Sequence, residues 1–224
     1  MQNFDLKGKN AFVIGGTGGI GLEVARMLRE SGAEVTVAGR HQLKDAQGIA
    51  WVHVDFDLGA SELARDDVKC LLEKCDILIF TYGPFIQKSL HVTTPDDWLK
   101  MAVDDYALPG IAVSSVLPGM MERKFGRIIL FGGTRTFQIN PYRTNAAYAG
   151  AKTGISVIIK SISAEYRKHG VTCNGIFPGF TRNPPDDSVS VDEKSIALQV
   201  MNLVCSSDLN GVLMNVDCGW NPVS

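Results

Sequence analysis

The sequence has 224 residues, 45% hydrophobic and 21% charged, the balance of a globular protein with a sizeable core. Its formal net charge of -2 and pI of about 6.1 exclude a bulk electrostatic attraction to nucleic acid or anionic membrane. No apolar run approaches the roughly 18 residues of a membrane span, and Met1 to Lys9 lacks the apolar segment of a signal peptide, so a cytoplasmic protein is expected.

In chain order, a first strand is predicted over Ala11–Ile14, followed by Gly15-Gly16-Thr17-Gly18-Gly19-Ile20-Gly21 and a helical pattern from Glu23 to Glu30 that stops at Ser31-Gly32. Further strands are expected at Glu34–Ala38, Ala50–Val54, Ile77–Thr81, Arg127–Phe131, Val171–Ile176 and Val212–Val216. Most are too continuously apolar to have a wet face, which suits a buried parallel sheet. Long helices are expected from Asp96 to Met121 and from Asn145 to Arg167, with a last one around Val191–Val204. Thr181–Ser190, with its paired prolines and aspartates, reads as a loop. The alternation predicts an α/β Rossmann fold, doubly wound, with a mostly parallel seven-stranded sheet and helices on both faces. Residues 1–224 carry no linker or repeat and are expected to form one dinucleotide-binding and catalytic domain.

Five cysteines without a C-x-x-C pair read as reduced, mostly buried thiols, and four scattered histidines give no metal-ligand spacing, so no metal is expected. The glycine turn sits where a phosphate cradle belongs, between a strand and a helix. Gly15 permits a tight turn, while Gly18, Gly19 and Gly21 allow close approach of backbone to a pyrophosphate. Free N–H groups at the helix start, around Thr17 and Ile20, then face the phosphates.

The spacing Gly15-x-x-x-Gly19-x-Gly21 resembles the T-G-x-x-x-G-x-G turn of the short-chain dehydrogenase/reductase family, with Ile14 in place of the usual threonine. Four further segments carry the resemblance: Asp55 after the third strand, Tyr148-Ala149-Gly150-Ala151-Lys152, Asn174-Gly175-Ile176-Phe177-Pro178-Gly179, and Asn215-Val216-Asp217-Cys218-Gly219-Trp220. It implies that Asp55 lies near the adenine and that Phe80-Thr81-Tyr82-Gly83 stands for an N-N-A-G segment lining the adenine and ribose, with Gly83 retained and both asparagines absent. It places Pro178 and Gly179 beside the nicotinamide. Gly39 stands where relatives that prefer NAD carry an acid, and the nearest acids along the chain are Glu34 and Asp45. Arg40 can fork a 2′-phosphate, so the expected cofactor is NADP(H).

Tyr148 and Lys152 share a helix face. The resemblance makes Tyr148 the general acid/base and gives Lys152 two tasks, holding the ribose and lowering the phenol pKa. Gly133 occupies the place of the family serine, for which Thr134 is the expected substitute. Asp105 replaces the family's helix asparagine, and Pro109, lacking an N–H, leaves its carbonyl free for a water contact. An Asp105 carboxylate aimed at Lys152 would weaken the lysine's field; one facing away would matter little. Phe85, Ile86, Phe137, Ile139 and Phe180 are candidate pocket residues. The implied activity interconverts a ketone, such as a 3-oxoacyl thioester, with a secondary alcohol, on a small-molecule or carrier-bound substrate. A homodimer or homotetramer is implied as well. The alternative is a dinucleotide-binding sensor or scaffold, motivated by the substitutions at Thr81, Asp105 and Gly133.

Overall fold

The computed structural model describes residues 5–184 and 189–221. Seven strands form one sheet: β1 (Asn10–Ile14), β2 (Glu34–Gly39), β3 (Ala50–His53), β4 (Ile77–Phe80), β5 (Gly126–Phe131), β6 (Val171–Pro178) and β7 (Leu213–Val216). All pairings are parallel, in the order β3-β2-β1-β4-β5-β6-β7. Every residue of β4 is buried, which is why its sequence shows no alternation.

Alternate strand residues feed two cores. On one face Val13, Val35, Ile77 and Ile79 pack with α1 (Gly19–Glu30) and α7 (Glu193–Val204). On the other, Phe12, Ile14, Leu78 and Phe80 pack with α3 (Asp66–Lys74), α5 (Leu108–Glu122) and α6 (Ala146–Glu165). The chain turns from one half of the sheet to the other between β1 and β4. In a doubly wound sheet this switch point opens a crevice at the carboxyl ends of the strands. Gly15, Thr81 and Gly83 all follow directly from these two strand ends.

The predicted strands match to within a residue or two. The long helix expected from Asp96 runs instead as α4 (Pro95–Ala102), a π-helical turn over Val103–Ala107, and α5. Thr94 and Asp97 cap α4 reciprocally. Pro109 supplies no N–H, and the ladder widens ahead of it, with the Leu108 N–H reaching the Val103 carbonyl. Two helices, α2 (Ala60–Leu63) and α3, were not predicted, because their charged, short patterns carry little periodicity. Of the expected loop at Thr181–Ser190, positions 185–188 lie outside the described residues, and the remainder carries no helix or strand. The cysteine expectation needs correction: Cys75 and Cys173 are buried, but Cys70, Cys205 and Cys218 are exposed. Apolar neighbours in sequence did not reveal that these three sit on an outer helix face, a helix end and a terminal turn.

Candidate active site

Steric constraint explains the glycine turn. Gly15 has φ +85°, and a Cβ there would lie 2.6 Å from the Tyr82 nitrogen. A Cβ on Gly21 would collide with the Gly15 carbonyl oxygen. Gly18, by contrast, faces open space and starts α1 without a side-chain cap. A helix start without a side-chain cap leaves its N–H groups free for a pyrophosphate, with the Glu193 carboxylate close to Gly19. Ile20 packs partly into the core behind it. Thr81 stands behind the turn as well: its hydroxyl donates to the Ile14 carbonyl at 3.0 Å and touches the space beside Gly15 and Gly21. It therefore supports the cradle instead of reaching across it.

At the far end of the crevice, Gly39 is held by Thr17, whose Oγ1 would be 2.6 Å from any Cβ at that position. A side chain at the end of β2 would require the Thr17 side chain to move. Arg40 pairs with Asp57 at 3.2 Å, both more than half exposed, and Lys100 reaches the same carboxylate at 2.9 Å. The acid beside Arg40 is thus Asp57, seventeen positions on, and not Glu34 or Asp45; chain proximity was a poor guide across a β-α crossover. Asp55 caps the short turn Phe56–Leu58 by accepting from the Asp57 N–H at 3.2 Å. Phe56 stacks on Tyr82 with centroids 3.8 Å apart, and the Tyr82 hydroxyl donates to Asp104.

Asn145 opens α6, and Tyr148 and Lys152 follow one turn apart. The Lys152 ammonium is buried, 2.9 Å from Asp105 Oδ1 and 3.0 Å from the Phe131 carbonyl, and 5.9 Å from the Tyr148 ring centre. Asp105 is fully buried in the π-helical turn. Gly83 packs flush against this pair: a Cβ would overlap Asp105 Oδ1 and lie 2.7 Å from Lys152 Nζ. Burial pushes the Tyr148 phenol well above its usual value, and the Asp105 and Tyr142 side chains push in the same direction. Burial also raises the Asp105 carboxyl, against the pull of Lys152.

Gly133 lies directly against the phenol, since a Cβ there would be 2.7 Å from the Tyr148 Oη. Thr134 lines the same cavity, but its hydroxyl meets Asp217 at 3.4 Å. Thr136 folds back to donate to the Gly133 carbonyl at 2.9 Å. The cavity, about 550 Å³, brings together Tyr148, Pro178 and Gly179 with Phe85, Phe180 and Trp220. Phe85 meets the Tyr148 ring edge-on at 4.9 Å, and Phe180 meets Trp220 at 5.4 Å. Phe85 and Phe180 thus face the cavity as expected. Phe137 instead packs on Phe177 in the core, and Ile139 is 90% exposed, so neither lines it; nor does Ile86.

Sequence reasoning missed Tyr142, Asn145 and Arg182. The Asn145 Oδ1 is buried without a hydrogen-bond partner at the cavity wall, and Arg182 sits at its rim paired with Glu193 at 3.1 Å. Asn145 had a readable signal, a helix-start asparagine three residues before the tyrosine. Arg182 had none.

Comparison with known proteins agrees with this arrangement. A family model for short chain dehydrogenases matches residues 9–194. The chain is 29% identical over 203 residues to a 3-oxoacyl-(acyl-carrier-protein) reductase FabG of Vibrio harveyi, covering 87% of this chain and 82% of that one. It is 26% identical over 205 residues to the reductase of the same name from Rickettsia conorii, covering 89% and 83%. It is also 27% identical over 203 residues to a 2-dehydro-3-deoxy-D-gluconate 5-dehydrogenase of Formosa agariphila, covering 84% and 75%. A solved structure described as a short chain dehydrogenase/reductase family protein superposes with a TM-score of 0.86 at 25% identity, covering 96% of this chain and 98% of that one. With the family model matching residues 9–194 and the parallel seven-stranded sheet in place, the chain belongs to the short-chain dehydrogenase/reductase family of oxidoreductases.

Proposed function

We propose that the protein is an NADP(H)-dependent carbonyl reductase acting on a ketone, with a 3-oxoacyl thioester as the first candidate substrate. The observation that carries this reading is the Tyr148 phenol opening into the aromatic cavity beside Pro178-Gly179. When bound, the nicotinamide supplies or accepts a hydride. The chain's own residues do the remaining work. Tyr148 gives a proton to the carbonyl oxygen, Lys152 fixes the helix face on which the ribose rests, and Phe85, Phe180 and Trp220 exclude water and hold the apolar part of the substrate. Thr134 and Asn145 are the side chains nearest in kind to the missing serine, with Asn145 carrying the unpartnered oxygen.

Preference for NADP(H) is supported by the space Thr17 takes at Gly39 and by two cations, Arg40 and Lys100, converging on one acid. A 2′-phosphate there would draw Arg40 from its exposed pair with Asp57, while Lys100 stays held by Asp104. Assembly as a homodimer or homotetramer is supported by the exposed apolar residues Val103, Tyr106, Ile111 and Val157 on the outer faces of the π-helical turn, α5 and α6. Light scattering reads this assembly directly, and a mass of one chain would contradict it.

The second reading, a dinucleotide-binding sensor or scaffold, is favoured by the Asp105–Lys152 ion pair and by glycine in the serine position. A panel of 3-oxoacyl thioesters assayed with NADPH separates the two. Turnover that disappears in Tyr148→Phe supports the reductase; tight NADPH binding without turnover on any carbonyl supports the scaffold.

A further inference from the structure

A lysine ammonium lowers the pKa of a nearby phenol only to the extent that its field is uncompensated. Lys152 already has two partners, an ion pair with the Asp105 carboxylate at 2.9 Å and a hydrogen bond to the Phe131 carbonyl at 3.0 Å. The carboxylate is fully enclosed, with Gly83 backbone sealing one side, so water cannot screen the pair. The groups facing it from other elements add no free positive charge. Lys100 on α4 is bound by Asp104 and Asp57, Tyr82 after β4 is bonded to Asp104, and Tyr142 before α6 is a neutral phenol. Among the described residues, no uncompensated cation stands over the Tyr148 hydroxyl.

Building on the reductase reading, we propose that Asp105 is a positioning residue that compensates Lys152 and keeps Tyr148 a neutral phenol, so that the proton donor is present throughout the neutral range and the proton acceptor forms only in alkaline solution. Near neutrality the site then holds the proton that ketone reduction consumes, and alcohol oxidation requires alkaline solution. In reduction the carbonyl carbon gains a hydride from a dihydronicotinamide, which is oxidised. The Tyr148 O–H bond breaks as the alcohol O–H forms, and the resulting phenolate recovers its proton from water. In the reverse direction Tyr148 must already be a phenolate to take the alcohol proton, and compensation of Lys152 makes that state costly. The elevated phenol pKa, caused first by burial and then by Asp105, agrees with this geometry.

Asp105→Asn restores the family residue type and frees the Lys152 charge. Its test needs no substrate: tyrosinate absorbance is titrated in wild type and Asp105→Asn, and the Tyr148 contribution is isolated by subtracting traces recorded with Tyr148→Phe added to each. The Tyr148 transition should fall by about one pH unit or more in Asp105→Asn. Asp104→Asn, one residue away but partnered to Lys100 and Tyr82, should leave it in place. Asp105→Ser serves as a second neutral variant if the asparagine protein does not fold. The pH profile of alcohol oxidation with NADP+ should shift to lower pH by the same amount. An unmoved tyrosinate transition in a folded neutral variant would overturn the proposal, as would an equal shift in Asp104→Asn. Because the titration is read without turnover, a failure of the reductase reading shows separately, as absent activity in wild type.

Discussion

The two ends of the crevice are built on different principles. The glycine turn is fixed by backbone: Gly15 and Gly21 are glycines because a single Cβ would strike main-chain atoms, and no neighbouring side chain can be exchanged to relieve that. The catalytic end is fixed by side chains, and there Asp105 and Gly133 stand where the resemblance implies other residues, as Thr81 does behind the turn. Each departure is matched locally. Thr81 buttresses the turn, Asp105 pairs with Lys152, and Gly133 gives room to the Tyr148 hydroxyl. Steric necessity tolerates no drift, whereas a polar site can exchange one compensated arrangement for another.

The largest effect should come from the side-chain end. Tyr148→Phe removes the proton donor and should lower kcat by about 10²- to 10⁴-fold while leaving NADPH affinity nearly unchanged; steady-state kinetics with a fluorescence titration of the cofactor measures both. If affinity fell as far as rate, the phenol would be part of the cofactor cradle and the contrast would fail.

At the backbone end, Gly21→Ala drives a methyl group into the Gly15 carbonyl. Overpacking of this kind costs about 1–3 kcal/mol, so thermal stability should fall and NADPH binding should weaken with it. A variant of wild-type stability and affinity would show that the turn is more pliable than its contacts imply.

Arg40→Ala sharpens the comparison at the rim. Charge-assisted hydrogen bonds contribute roughly 1.5–3 kcal/mol, and this one is exposed, so a loss near the lower bound, about tenfold, is expected for NADPH and almost none for NADH. Equal weakening of both would show that Arg40 does not meet a 2′-phosphate.

The smallest effect lies away from both ends. Asp97, which caps α4, is held down to about 2 by Lys88 first and by the Thr94 N–H second. A depressed carboxyl contributes stability above its unfolded value of 3.8, and that contribution is lost as pH falls toward 2. The melting-temperature gap between wild type and Asp97→Asn should therefore be constant above about pH 5 and close on acidification. A gap that widens in acid would reverse the assignment.

The fold was legible in the sequence because its strands are buried on both faces and read as uninterrupted apolar runs such as Ile77-Leu78-Ile79-Phe80. The turn was legible because only glycine satisfies its geometry. What escaped was decided by contacts distant in the chain. Asp57 reaches Arg40 across a crossover, and Asn145 and Arg182 meet at one cavity from different loops. The direction of the Asp105 carboxylate depended on a π-helical turn that hydrophobic periodicity does not encode. Pro109 marked the place where the ladder had to change, but not which way the side chain would then face.

In the proposed reaction a hydride and the Tyr148 proton add together across a carbonyl held in the aromatic cavity. It is tested most directly by a single turnover of a 3-oxoacyl thioester with NADPH deuterated at the transferring position, followed by mass analysis of the product. Wild type should place one deuterium on the alcohol carbon, and Tyr148→Phe almost none in the same time. Equal transfer by the two proteins would contradict it, as would an unlabelled alcohol from wild type.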